Sequence, residues 1–204
     1  MFTSARRLLG TVSAGCALSA AIFLIPSISA AQAAPLGFGS CTAGPLSQPF
    51  TPWGDSSSYE LAPGGDFESS DYASSPWTLT GGARLATGSE PYAATGTLGS
   101  TSLALPAGSS AQSPTACVGV AYPTVRFFVG GTGTVAVNVV AGGLTIPTGV
   151  VVAAGSWMPS PVMVTLNPIL AVLADGSAQV SLEFTGLTGS PQVDDVFIDP
   201  WTRG

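Results

Sequence analysis

The chain has 204 residues, with 5 basic and 11 acidic side chains, no histidine, 46% hydrophobic content and only 8% charged. Without histidine no Ser–His, Cys–His or His–metal constellation can be built. Without lysine there is no Schiff base or P-loop, and a net charge of -6 argues against a nucleic-acid partner.

The chain opens as an export signal. Arg6 and Arg7 precede an apolar run from Leu8 through Ile25, and small residues gather at Ala31-Gln32-Ala33. That pattern is a secretory signal peptide over residues 1–33. Three rival readings stand beside it. One is an uncleaved membrane anchor, because the run nearly reaches bilayer length. Another is a lipoprotein box at Ser13-Ala14-Gly15-Cys16, although most of the apolar run follows Cys16. The third is a twin-arginine signal, whose flanking residues match poorly. The expectation is a secreted protein, free of the membrane once the signal is cleaved. Beyond Ala33 only Arg84, Arg126 and Arg203 face all 11 acids. Cys41 and Cys117 remain as an even pair, which in an oxidising compartment most often makes one disulfide, the alternative being two separate buried thiols. A loop of that length stabilises by about 4 kcal/mol in the chain-entropy model.

Residues 34–59 form a Pro/Gly-rich arm. Pro45, Pro49 and Pro52 keep it extended, and Phe50, Trp53 and Tyr59 are its expected anchors. Residues 60–204 then read as one domain of short strands between Gly/Pro/Ser turns. The expected strands are Trp77–Leu79, Ala83–Thr87, Thr101–Leu105, Thr124–Val129, Thr134–Val140, Gly149–Ala153, Met163–Leu166, Ala178–Phe184 and Gln192–Ile198. Val135, Val137 and Val139 share one face of a strand, as do Val180, Leu182 and Phe184. Gly130-Gly131-Thr132-Gly133 reads as a hairpin connection, and Ile169–Leu173 as a short helix after Asn167-Pro168. The fold class is all-β, a single antiparallel β-sandwich.

Several segments carry a resemblance. Leu61-Ala62-Pro63-Gly64-Gly65-Asp66-Phe67-Glu68, followed by Trp77-Thr78-Leu79-Thr80-Gly81-Gly82-Ala83, resembles the opening of galactose-binding-like jelly rolls. In carbohydrate-binding modules of the CenC type an N-G-D-F-E segment precedes a W-x-L-x-G-x-A strand. Gly99-Ser100-Thr101-Ser102-Leu103-Ala104-Leu105, Ser156-Trp157 and Val193-Asp194-Asp195-Val196-Phe197-Ile198 are similar to later patches of those modules, in the same order. The whole chain also resembles uncharacterised secreted proteins of high-GC bacteria, with a C…PF-x-P-W arm and a D-P-W near the end. The arm and its cysteine are additions to the carbohydrate-binding pattern. The resemblance implies a jelly roll and a polysaccharide or cell-envelope glycan as partner.

Candidate sites follow from the residues and from this resemblance. Asp194 shares parity with Val196 and Ile198 and so points inward, where a carboxylate must be paired, hydrogen-bonded or bound to a cation. By the resemblance Glu68, opening the first strand, lies beside it, and two carboxylates plus backbone carbonyls suit a structural Ca²⁺. The competing reading neutralises one of them with Arg84 or Arg126, or leaves both solvated. Arg126 itself reads either as a salt bridge across the sheet to Glu183 or as a fork for sugar hydroxyls. Trp157 and Tyr92 are candidate sugar-stacking rings, with core or lid packing as the alternative; Trp53, Trp201 and Tyr122 are weaker candidates, and Trp77 belongs to the core. Asp194 and Asp195, adjacent on a strand, are expected to face opposite ways and to share no reaction centre. No carboxylate pair sits in a catalytic motif.

Three functions fit. The leading one is a secreted, noncatalytic, carbohydrate-binding-like module. The second is a structural or cell-envelope interaction protein that binds no sugar. The third is a small extracellular hydrolase with a carboxylate pair.

Overall fold

The computed structural model describes residues 41, 44–119, 124–164 and 177–199. The export segment, Tyr122, Trp201 and the short helix expected at Ile169–Leu173 lie outside those residues. In chain order the elements are β1 (Leu46–Ser47), β2 (Tyr59–Leu61), α1 (Ser69–Ser74), β3 (Thr78–Thr80), β4 (Arg84–Thr87), β5 (Thr101–Ala104), β6 (Ser110–Gln112), β7 (Ala116–Gly119), β8 (Thr124–Ala141), β9 (Leu144–Pro159), β10 (Met163–Val164) and β11 (Ser177–Asp199). All the pairings are antiparallel.

Two long strands organise the molecule. β11, 23 residues long, runs beside the 18-residue β8 from Ser181↔Val140 to Asp199↔Thr124. On its other side β11 receives β7, β6, β5 and β2 in turn. β3, β4 and β1 extend β6, β5 and β2. β9 and β10 lie along β8.

The expected hairpin at Gly130–Gly133 is therefore corrected: Thr124–Val129 and Thr134–Val140 are one strand. Its glycines answer a tertiary demand. β11 shifts register between Gly186 and Thr188, and a Cβ on Gly133 (φ 138°) would sit 2.0 Å from the Thr188 carbonyl oxygen. Only glycine lets the two backbones approach so closely. The same continuity joins Ala178–Phe184 to Gln192–Ile198 within β11.

These long strands fold over into two layers. Phe184 pairs with Val137, ten residues from Phe127 along β8, a flat-sheet separation of roughly 33 Å. Yet the Phe127 and Phe184 rings stand edge to face at 5.0 Å. The sheet has turned a corner and packed against itself, as sandwiches do where strands switch layers at bulges. Between the layers lie Phe67, Trp77, Leu103, Leu105, Phe127, Val137, Leu182, Phe184 and Val193, all buried. Val135, Val137, Val139, Val180, Leu182 and Phe184 occupy the inward face that their alternation predicts.

Cys41 and Cys117 are joined, as expected, across a sequence separation of 76. The bond ties the arm to β7. A second small core holds the rest of the arm: Phe50, Tyr59, Phe128 and Phe197 are buried together on the outer side of the sandwich. Phe128 points there because it is out of phase with Val125, Phe127 and Val129, which face the main core. β2 spans the 59/60 boundary expected between arm and domain and pairs with β11.

Candidate functional site

The arm closes the sheet face on which a sugar fork would stand. Arg126 shares the outward parity of Phe128, but the arm covers it and leaves the residue 6% exposed. Its Nη1 donates to Asp55 Oδ2 at 2.7 Å. Its Nε and Nη2 donate to the Ser160 carbonyl at 3.1 and 2.9 Å, and the guanidinium lies 4.2 Å from the Phe50 ring centre. Each of its three nitrogens donates within the chain. The salt bridge expected to Glu183 is corrected to Asp55, because the arm brings a carboxylate over the outer face. Glu183 instead accepts from Asn138 and Ser110. Burial alone would raise the Asp55 pKa, but donors from Tyr59, Ser57 and Arg126 outweigh it and hold the group at about 2. The Tyr59 hydroxyl, desolvated and donating to Asp55 at 2.7 Å, is pushed up to about 12.

Beside this clamp, a loop from Gly88 to Gly96 hangs on buried carboxylates. Asp194 is fully buried; its Oδ2 accepts from the Ser89 hydroxyl at 2.6 Å and the Glu90 amide at 2.8 Å. Its Oδ1 accepts from the Asp195 amide at 3.0 Å. Burial dominates those donors and raises its pKa to about 7. Glu90, buried as well, turns back on its own loop and accepts from the amides of Tyr92 and Ala94. Asp195 departs from the sequence expectation. β11 shifts register between Asp194 and Phe197, and Asp195 takes a left-handed φ of 44°. The alternation breaks there: Asp194 pairs with Phe128 and so takes the outer face, not the inward face it was expected to share with Val196 and Ile198, and both acids are buried. Desolvation, the charges of Asp194 and Glu90, a side-chain hydrogen bond with Glu90 and the charge of Asp66 all push Asp195 well up. A hydrogen bond between the Asp195 and Glu90 carboxyls requires one proton held within that pair.

Glu68 is not on a strand. It caps α1 with an extended backbone, and its Oε1 accepts from the amides of Ser100 and Thr101 at 2.6 and 2.8 Å. Its Oε2 accepts from the Ser100 hydroxyl at 3.1 Å. Glu68 and the Ser89 hydroxyl that serves Asp194 both abut Gly99, so the two candidate calcium ligands do gather at one junction. Oxygen donors suit a hard cation, but all four of these carboxylate oxygens already accept intrachain N–H or O–H groups. Among the described residues no group of three or more Asp, Glu, Cys or His could hold a metal ion. To take a cation, each of these oxygens would have to give up a hydrogen bond it already accepts, and nothing below is routed through one.

The loop carries Tyr92 to the surface. Its ring is 45% exposed and meets Trp53, 37% exposed, edge to face at 4.9 Å and 84°. Both rings rest on Phe128. The Tyr92 hydroxyl donates to the Trp157 carbonyl at 2.8 Å. The Trp157 ring is half-buried and lies flat over Gly130, where a Cβ would stand 2.6 Å from it; without a side chain at that position the indole can dock on the strand. Trp53 and Tyr92, with Gln48, Pro49, Pro52, Ala93 and Ala94, line an open cleft of about 540 Å³. Tyr92 and Trp157 are thus brought together, while Arg126 lies beneath the arm. Trp53 was expected as an anchor and as a weaker stacking candidate, and Glu90 was not singled out. The one sequence signal for Glu90 is a turn-rich Ser89-Glu90-Pro91-Tyr92 segment.

A second cleft of about 400 Å³ between β2 and α1 is lined by two acids, Glu60 and Asp71, with Pro45, Pro63, Ser74 and Ser75 among its other residues. Burial raises the Glu60 pKa against a hydrogen bond from the Gly44 amide. Its Oε2 is buried without a hydrogen-bond partner.

No protein-family profile and no curated protein matches the chain. Solved structures do match, at low identity. The CBM22-1 xylan-binding domain from Paenibacillus barcinonensis Xyn10C is 10% identical, with 81% of this chain and all of that chain covered at a TM-score of 0.45. TmCBM61 in complex with β-1,4-galactotriose is 15% identical over 60% of this chain and 87% of that one, TM-score 0.37. The enzymatically active domain of bacteriophage CBA120 tailspike protein 4 is 17% identical over 66% of this chain, TM-score 0.41. The chain spans about a fifth of that tailspike domain's length.

Proposed function

We propose that the protein is a secreted, noncatalytic module that binds a polysaccharide or cell-envelope glycan against Trp53 and Tyr92. The observation that carries this reading is the exposed edge-to-face pair at the mouth of the 540 Å³ cleft. Pyranose rings present apolar C–H faces that aromatic rings cover well. Two rings at right angles make a corner rather than a flat platform, and a corner suits a chain end or a bend better than the side of an extended polymer. No carboxylate lines that cleft, which supports binding without hydrolysis. The export-like first residues and the disulfide support an extracellular setting. The structural reading, without sugar, draws support from the arm, which seals the Arg126 face.

A polysaccharide and glycan screen on the disulfide-intact protein tests this. Trp53→Ala and Tyr92→Ala should each weaken the selected ligand at least tenfold, or ~1.4 kcal/mol. Tyr92→Phe, which keeps the ring, should change it little. A screen without a binder, or a binder indifferent to both alanine variants, would leave the structural role.

A further inference from the structure

A different face of the molecule carries a second interaction. β9 is 16 residues long and pairs on one side with β8; among the described residues no strand pairs with its other side. Exposed strand edges are ordinarily blunted by lysines, inward charges or prolines. Here none of these is present across the middle of the strand. From Phe127 through Ala174 the sequence contains no Asp, Glu, Lys or Arg, and no proline lies between Thr148 and Met158. The alternation is clean: Val151 and Ala153 are buried, while Val150 and Val152 stand 57% and 69% exposed and Ala154 is exposed with them. Half of the large apolar side chains exposed among the described residues (Leu144, Val150, Val152, Met158, Val162 and Val164) lie on β9, on β10 or on the link between them.

We propose that the β9 edge pairs antiparallel with the β9 edge of a second copy of this chain, across a two-fold axis near Val152. The pairing is self-complementary by construction. With Val152 opposite itself, Val150 meets Ala154 of the other copy on the same face, so apolar meets apolar and no charge is buried. A partner with a charged edge would lose solvation without gaining an opposite charge, and a sugar would find no side-chain hydrogen-bonding group between Gly149 and Gly155. The magnitude sets the affinity class. Nine residues, 148–156, at ~3.4 Å and a strip ~10 Å deep bury on the order of 600 Å² in total. That is below the standard size for a stable complex and typical of a weak one. The dimer should therefore form in the micromolar range and dissociate on dilution.

Sedimentation velocity on the disulfide-intact protein from about 5 to 500 µM, chosen to bracket that range, reads this directly. A concentration-dependent monomer–dimer equilibrium is expected. Val152→Lys should raise its dissociation constant at least tenfold, whereas Leu98→Lys, equally exposed but off this edge, should leave it unchanged. Amide hydrogen exchange at residues 148–155 should slow as concentration rises. A monomer throughout the range overturns the proposal. So does a dimer indifferent to Val152→Lys, or one that Leu98→Lys breaks equally.

Discussion

Replacing Asp195 with asparagine should stabilise the protein at neutral pH and do nothing in acid. Asp195 is buried, sits beside the charges of Asp194 and Glu90, and shares a hydrogen bond with Glu90. Its native pKa lies well above the unfolded value of 3.8, so the chain must take up a proton here to fold at pH 7. The sign follows: this group's contribution is complete below pH 3.8 and is lost as pH rises toward its native pKa. Across about three pH units at ~1.4 kcal/mol each, that uptake costs about 4 kcal/mol at pH 7. Asparagine presents an N–H to Glu90 in place of the proton held within the pair, and it tolerates the left-handed φ of 44°. Asp195→Asn should gain up to about 4 kcal/mol at pH 7, roughly a 10 °C rise in Tm, and close to nothing at pH 4. Asp194, raised to about 7, adds a second loss in wild type between pH 4 and 7. Asp55 works in the opposite direction, because its pKa is lowered to about 2 and its contribution fades only as pH falls below 4. Wild-type stability should therefore peak near pH 4. Urea unfolding of both proteins from pH 3 to 8 measures all of this. Equal gains for Asp195→Asn at pH 4 and pH 7, or a wild type that becomes more stable between them, would refute the reasoning.

Arg126→Ala should cost about 3–5 kcal/mol in the same unfolding assay, because it strands the Asp55 carboxylate and the Ser160 carbonyl under the arm; Asp55→Asn should cost less, since a neutral amide still serves the guanidinium. Thermal unfolding in chelator and in millimolar calcium should give equal Tm, because Glu68 and Asp194 already accept intrachain donors. A calcium-dependent rise that Asp194→Ala abolishes would restore the ion, by about 2.7 kcal/mol at a hundredfold excess over Kd.

What the sequence made legible is local. Alternation at Val135, Val137 and Val139 needs no partner to be read, and it placed the core correctly. The cysteine pair followed from counting. The glycines at 130–133 misled because a glycine cluster means a turn when the backbone must reverse, and a close approach when another strand crosses. Nothing near them in sequence distinguishes the two; the bulge that decides it is at Gly186 and Thr188. Asp194 and Asp195 were misplaced for the same reason, since period-two reasoning fails where a bulge residue takes a positive φ. Tyr92 was visible as a candidate ring in a loop. Its partner Trp53 lies 39 positions earlier in the arm, and only the folded arm brings the two together.

The breadth of β11's pairing bears on the order in which the chain can fold. β2, β5, β6, β7 and β8 all pair directly with this strand, and of the described strands it is the last to be synthesised. Until Ser177–Asp199 is available, each of these five strands lacks one of its neighbours, and most of their pairings with β11 close long loops, which slows folding. Nascent chain emerging from the ribosome can collapse but cannot lock. On the export route proposed above, that delay would keep the chain loose during transit and leave final assembly, with closure of the Cys41–Cys117 bond, to the far side.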